Sequence, residues 1–176
     1  IQGRAGSSVG CESLLRVNLG QVHDASLSLS NPTVSNVDPG STASTSMQVT
    51  NTGNGQDNFA LGVKDLAPGW PVEVSETYVT IDGRHCTSTN NCDRKSVQVQ
   101  ITVPSNAKSG VEFPITLYVN SQGITLDEVT ATVTVAAVHG GSIDIPSDSK
   151  TGRFGQWVSF PLGITNTGNN QAPFAL

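Results

Sequence analysis

Positive charge is scarce in this sequence. Nine Lys and Arg are set against fourteen Asp and Glu, for a formal net charge of −5, and the nine are scattered. A nucleic-acid partner is not expected, because phosphate backbones are held by clustered Lys and Arg. Long apolar runs are missing too: no stretch approaches the roughly 18 apolar residues of a membrane-spanning helix. The opening residues, IQGRAGSSVG, lack the basic and apolar parts of a signal peptide, so any secretion signal is expected upstream or already removed. Helix formers are few, with one Met and no run of Ala, Leu, Glu and Lys. No G-x-S-x-G, H-E-x-x-H or glycosidase-type acid pair is present, so no catalytic residue and no enzymatic activity are expected.

Thr, Ser, Val, Gly and Asn are abundant, while charged residues make up 13% and aromatics 5%. This is the composition of a turn-rich β protein, because β-branched side chains fit a pleated surface and Gly, Asn and Pro serve turns. The chain also repeats itself. TNTGNGQDNFAL, beginning at Thr50, returns as TNTGNNQAPFAL, beginning at Thr165, with nine of twelve positions identical. An offset of 116 instead of 115 sets VHDASLSL, from Val22, on VHGGSIDI, from Val138, and Val17 and Leu19 on Val133 and Val135. One single-residue gap reconciles the two offsets. A period of about 115 residues divides the chain into three parts. Residues 1–22 read as the closing strands of a preceding unit, 23–138 as one complete unit, and 139–176 as the opening of a following unit. A third of a sandwich cannot cover its own apolar face, so the chain reads as a window on a longer tandem protein.

Alternation of apolar and polar residues predicts the strands of the complete unit. Inward positions are Leu27 and Leu29; Thr45, Met47 and Val49; Phe59, Leu61 and Val63; Val72 and Val74; Val97, Val99, Ile101 and Val103; Ile115, Leu117 and Val119; and Val129, Ala131, Val133 and Val135. A further short strand is expected at 78–81. Turns are expected at Asp38-Pro39-Gly40 and at Thr52-Gly53-Asn54-Gly55, the latter as a hairpin turn using the positive φ that Asn-Gly tolerates. Seven or eight strands in about 115 residues predict an all-β fold, tandem immunoglobulin-like antiparallel β-sandwiches.

The run V-T-N-T-G-N, a strand leading to Phe59, the Pro68-Gly69-Trp70 segment and ITVPSNAKSG from Ile101 resemble bacterial and archaeal extracellular Ig-like modules, of the NPCBM-associated α-galactosidase and CARDB types. The resemblance covers 26–135 and again 142–176. It implies surface-layer, adhesin, filament or accessory-domain settings. The sequence departs from the family between Ile81 and Val97, where a longer Cys-bearing loop replaces a short turn.

In that loop Cys86 and Cys92 flank TSTNN and read as a local disulfide, worth about 2–3 kcal/mol in the chain-entropy model. The rival reading, a metal site of His85, Cys86, Cys92 and Asp93, lacks the second ligand pair that zinc sites carry. Cys11 would belong to the preceding unit. A disulfide implies an oxidising compartment, and hence a secreted, cell-surface location. His23 and His139 occupy equivalent places at the unit boundaries and read as polar junction residues, with a pH-sensitive or metal-linked joint as the alternative. Asp24, Asp38, Asp57, Asp127, Glu128 and Asp144 could supply oxygen ligands to Ca²⁺ near the junctions, Asp24, Asp127 and Asp144 foremost; no other cofactor is expected. Trp70 reads as a plug at the sandwich end, with a sugar-stacking platform as the alternative. Trp157, Phe154 and Phe160 are expected to pack within the following unit. Asn90-Asn91-Cys92 fits the rare N-x-C glycosylation pattern.

These readings lead to a non-enzymatic extracellular structural protein, a filament, sheath, surface layer or adhesin stalk. The expected partners are copies of itself, other surface proteins or glycans. The alternative is an accessory or carbohydrate-binding module of a secreted glycoside hydrolase. An adhesin that recognises a protein through residues 82–94 is a third possibility.

Overall fold

A computed structural model describes residues 2–5, 8–84, 86 and 91–175, with side chains from Ser13 onward. The element order is all strand: β1 Gln2–Ala5, β2 Ser8–Glu12, β3 Ala25–Leu29, β4 Thr33–Val37, β5 Thr42–Asn51, β6 Asp57–Lys64, β7 Val72–Val74, β8 Tyr78–Ile81, β9 Arg94–Thr102, β10 Glu112–Ser121, β11 Ile124–Val135, β12 Gly141–Asp144 and β13 Gly163–Asn166. No helix long and apolar enough to cross a membrane is present among the described residues.

Strands β3 to β11 form a sandwich. One sheet has the order β3-β5-β9-β7 and the other β4-β11-β10-β6-β8. Alternation works as expected along β9, where Val97, Val99 and Ile101 are at most 1% exposed while the residues between them face solvent. Met47 and Val49 of β5 share one buried core with Leu117, Val119 and Val133 of the other sheet. Each fully buried Val, Leu, Ile or Phe contributes about 1.5–3 kcal/mol. Thr45 is buried because its hydroxyl donates to the Asn31 carbonyl at 3.0 Å.

Three features differ from the expected antiparallel arrangement. Strand β4 went unpredicted, and it pairs with β11 in parallel, Val133 opposite Val34 and Val135 opposite Val37. The tight hairpin of the domain lies at Gln122-Gly123, joining β10 to β11, and both residues have positive φ, 51° and 81°. The segment Thr52-Gly53-Asn54-Gly55, expected as a hairpin turn, is an arch: it carries the chain from β5 in one sheet to β6 in the other. Neither Asn54 nor Gly55 has positive φ. A hairpin needs its two strands to be neighbours in one sheet; here β9 occupies the place beside β5 and β10 the place beside β6.

Outside the sandwich, β1 pairs with β2, and β12 pairs with β13. The register of β12 on β13, Gly141 opposite Asn166 and Ser142 opposite Thr165, repeats that of β3 on β5, Ala25 opposite Asn51 and Ser26 opposite Thr50. The aromatics of residues 139–175 do not pack as expected. Trp157 is 100% exposed and Phe154 equally exposed, because among the described residues β12 and β13 form a two-stranded sheet of their own. Val17 and Leu19 lie outside any strand and are exposed, whereas Val133 and Val135, their counterparts in the repeat, are buried.

Candidate functional site

The arch at 52–55 is organised by Asn51, the last residue of β5, whose side chain is 1% exposed. Its Nδ2 donates to the carbonyls of Gly55 at 2.9 Å and Ile81 at 3.0 Å, and its Oδ1 accepts the Gly53 amide at 2.9 Å. A buried amide is tolerated because every polar atom it carries is satisfied. With the arch fixed, Asn54 projects away from the sandwich towards residues 20–24, the linker that enters β3. Asn54 Oδ1 accepts the Val22 amide at 2.7 Å, and Nδ2 donates to the Gly20 carbonyl at 2.9 Å. The arch backbone adds two bonds to the Asp24 carbonyl, from Thr52 at 3.0 Å and Gly53 at 3.2 Å. Position 53 must be glycine for this approach, since a Cβ there would overlap the Val22 carbonyl oxygen.

Most of these bonds recur at 166–170. Asn166 donates to the Asn170 carbonyl at 2.7 Å and accepts the Gly168 amide at 2.9 Å. Asn169 Oδ1 accepts the Val138 amide at 2.8 Å, its Nδ2 donates to the Ala136 carbonyl at 2.9 Å, and Thr167 donates to the Gly140 carbonyl at 3.0 Å. A Cβ on Gly168 would strike the Val138 carbonyl just as one on Gly53 would strike Val22. Here the arch also touches the sandwich before it. Asn169 Nδ2 reaches the Ala107 carbonyl at 3.1 Å, and the Ser109 amide donates to the Asn169 carbonyl at 3.2 Å.

The two arches lie at opposite ends of the sandwich. Strand β5 runs from Thr42, opposite Thr102 near the 104–110 loop, to Asn51 at the first arch.

His23 ties residues 20–24 down a second way. Gln122 Nε2 is a donor and lies 2.9 Å from His23 Nε2, so the ring proton sits on Nδ1, which donates to Asp57 Oδ2 at 2.7 Å. Ser121 Oγ donates to the same carboxylate oxygen at 2.9 Å, and the Asn58 amide donates to the other at 2.8 Å. Burial alone pushes the Asp57 carboxyl up. The bonds from His23, Ser121 and Asn58 outweigh it and hold the group below the ordinary carboxylate value. The trio has the members of a Ser-His-Asp triad but not its geometry. The serine bonds the carboxylate and not the imidazole, so its hydroxyl lacks the histidine contact of a triad. In the second copy of the motif Ala172 stands where Asp57 stands in the first, and His139 lacks this anchor.

Cys86 and Cys92 are joined as a disulfide. Asp127 accepts the Leu27 amide on one carboxylate oxygen and the Glu128 amide on the other, and Asp24 accepts the Ala25 amide. Asp144 is exposed on β12. Among the described residues no three His, Cys, Asp or Glu side chains are grouped to hold a metal. Trp70 is 6% exposed and stacks on Phe113 with centroids 3.8 Å apart, below an open cleft of about 350 Å³ bordered by Pro68, Pro104 and Lys108. The side chain of Cys11, along with His85 and Asn90, lies outside the described residues. Asn169 and Gln122 were not singled out in the sequence, while Asn54 was read only as a hairpin-turn residue and Asp57 only as one of several possible Ca²⁺ ligands. The available signal was that Asn-Thr-Gly-Asn is identical in both copies, which a generic turn does not require.

No protein-family model matches the chain, and no curated relative matches its sequence. Among solved structures, the chain is similar to a putative carbohydrate binding protein from Bacteroides ovatus, at 11% identity and TM-score 0.45, over 66% of this chain and 41% of that one. It is also similar to the SrpA adhesin from Streptococcus sanguinis, at 15% identity and TM-score 0.42, over 65% and 58%. A third is WR4, an MSP family member of C. elegans, at 12% identity and TM-score 0.39, over 62% and 97%. The match thus spans less than two thirds of the length of both bacterial proteins.

Proposed function

We propose that the chain is a segment of a non-enzymatic, extracellular structural protein in which Ig-like units follow one another in tandem, as a cell-surface filament, sheath, surface layer or adhesin stalk. Residues 1–22, 23–138 and 139–176 are parts of three successive units. The observation that carries the reading is the pair of joints, in which Asn54 and Asn169 hold the preceding linker through the same bonds. A linker fixed by its own backbone groups behaves as a short stiff connector, so the mechanics of the array lie in its joints. The exposed Val17, Leu19, Ile143 and Ile145 fit this reading, since their counterparts Val133, Val135, Leu27 and Leu29 pack in or against the core of the complete unit.

The disulfide supports an oxidising, extracellular setting. The sheet edges at β7 and β8, the latter with Tyr78 exposed, are the places for lateral contact with copies of the chain or with other surface proteins. Immunogold labelling of intact producing cells, with antibodies against residues 23–138, tests the reading. Gold on surface layers or appendages is the expected result, and gold confined to the cytoplasm overturns it.

A further inference from the structure

The Cys86–Cys92 loop does not stand free of the first joint; its near limb, residues 82–84, lies against the arch. The Arg84 amide donates to the Gly53 carbonyl at 3.1 Å, so the glycine that receives the linker on one side receives the loop on the other. Gly83 is buried, and a Cβ there would run into the backbone of Asn54 and Gly55. Gln56 Nε2 donates to Asp82 Oδ1 at 2.7 Å, while the Gln56 carbonyl accepts from Gln21 of the linker at 2.8 Å. The far limb returns to the same place, where the Asn51 amide donates to the Asp93 carbonyl at 2.8 Å. Linker, arch and loop are thus three layers, with the near limb on the arch and the far limb on Asn51, the residue that staples it. The disulfide closes the loop just beyond these contacts, and the Cys86 amide donates to the Gly83 carbonyl at 3.2 Å.

We propose that the base of this loop, residues 82–84 and 93, is the brace of the joint: it is an interaction surface for the arch and, through it, for the linker of the preceding unit, and the disulfide keeps that surface in place. An arch pressed from one side only opens more readily, because local opening free energy follows the contacts a segment makes. A loop closed by a cross-link has fewer open conformations to reach than the same loop uncut and unlinked. The joint is then stiff in an oxidising medium and loosened where thiols are kept reduced, while the sandwich stays folded. The second arch serves as a control within the same molecule, since 166–170 has no loop of this kind on it among the described residues.

This inference rests on the reading of residues 20–24 and 136–140 as joints between units. Amide hydrogen exchange of the whole chain tests both, with and without dithiothreitol. The reagent supplies two electrons and two protons to the disulfide, giving two thiols, and closes to its own disulfide. In the oxidised chain Val22, Thr52 and Val138 are expected to be protected. Reduction should speed exchange at Val22 and Thr52 by about tenfold or more, leaving Val138 and Thr167 within about twofold. Unchanged protection at Val22 on reduction overturns the brace and leaves the joints standing; no protection at Val22 and Val138 in the oxidised chain overturns the joints themselves. Should reduction also free the core amides of Met47 and Leu117, Gly83→Ala replaces it, because the added methyl pushes the loop off the arch with the disulfide intact. That variant should reproduce the selective loosening at Val22, and normal Val22 protection in it contradicts the brace.

Discussion

The amide of Val22 donates to Oδ1 of Asn54 at 2.7 Å, and Asn54 returns its own amide to the Val22 carbonyl at 3.4 Å. A side-chain amide that reads the backbone of a linker is indifferent to the linker's side chains. Val22-His23-Asp24-Ala25 and Val138-His139-Gly140-Gly141 are therefore held alike despite sharing only their first two residues. What the motif demands is confined to its own three positions: Asn51 or Asn166 to staple the arch, a glycine that leaves room for the linker carbonyl, and Asn54 or Asn169 to make the clamp.

The two staples differ in burial, and their removal should differ accordingly. Asn51→Ala removes the side-chain donor of the Gly55 and Ile81 carbonyls and leaves the Gly53 amide only its bond to the Asp24 carbonyl, and should cost about 2–4 kcal/mol in urea unfolding. Asn166→Ala, on an exposed arch, should cost less than about 1 kcal/mol in the same measurement.

The phenylalanines of the repeated motif make a sharper pair. Phe59 is 0% exposed in the core, and Phe174, its counterpart, is 45% exposed with its ring over Gly141. Phe59→Ala should lower stability by about 3–5 kcal/mol, and Phe174→Ala should stay within about 0.5 kcal/mol, both read from the denaturant midpoint at unchanged m. Equal costs would mean that residues 139–175 are buried in solution.

Acid should act on the first joint before the second. The folded-state pKa of Asp57 is depressed below its ordinary value, so its bonds to His23, Ser121 and Asn58 contribute fully above about pH 4 and are lost as pH falls through the folded value. Asp57→Asn should therefore cost about 1–3 kcal/mol at pH 6, with the difference from the parent chain shrinking as pH is lowered below about 4. A gap that stays constant down to pH 2 would show that the carboxylate charge is not what holds the joint. Ala172 gives the second joint no such dependence.

Much of the sandwich was legible because burial imposes a period of two. The Val97-to-Val103 alternation needed no knowledge of which strand lay opposite, and the repeat needed only self-comparison. The arch was not legible as an arch. Whether Thr52-Gly53-Asn54-Gly55 closes a hairpin or crosses between sheets depends on β9 and β10 filling the neighbouring places, and those pairings span about fifty residues of sequence. The β10–β11 hairpin was hidden by chemistry, since Gln122-Gly123 takes the two positive φ values that Asn-Gly usually supplies. Strand β4 escaped because Thr33–Val37 has only Val34 and Val37 to bury, and a bend at Asn36, with φ of 58°, breaks the alternation. The candidate site was visible only as a repeated string. Its meaning came from the carbonyls of Gly20 and Ala136, and backbone groups leave no mark in a sequence.

Amide exchange at Val22 and Val138 tests the joints most directly, compared across the parent chain, Asn54→Ala and Asn169→Ala. The account predicts that both amides are protected in the parent, that Asn54→Ala frees Val22 alone, and that Asn169→Ala frees Val138 alone. Exchange of both amides at the rate of an unstructured peptide in the parent chain would contradict it.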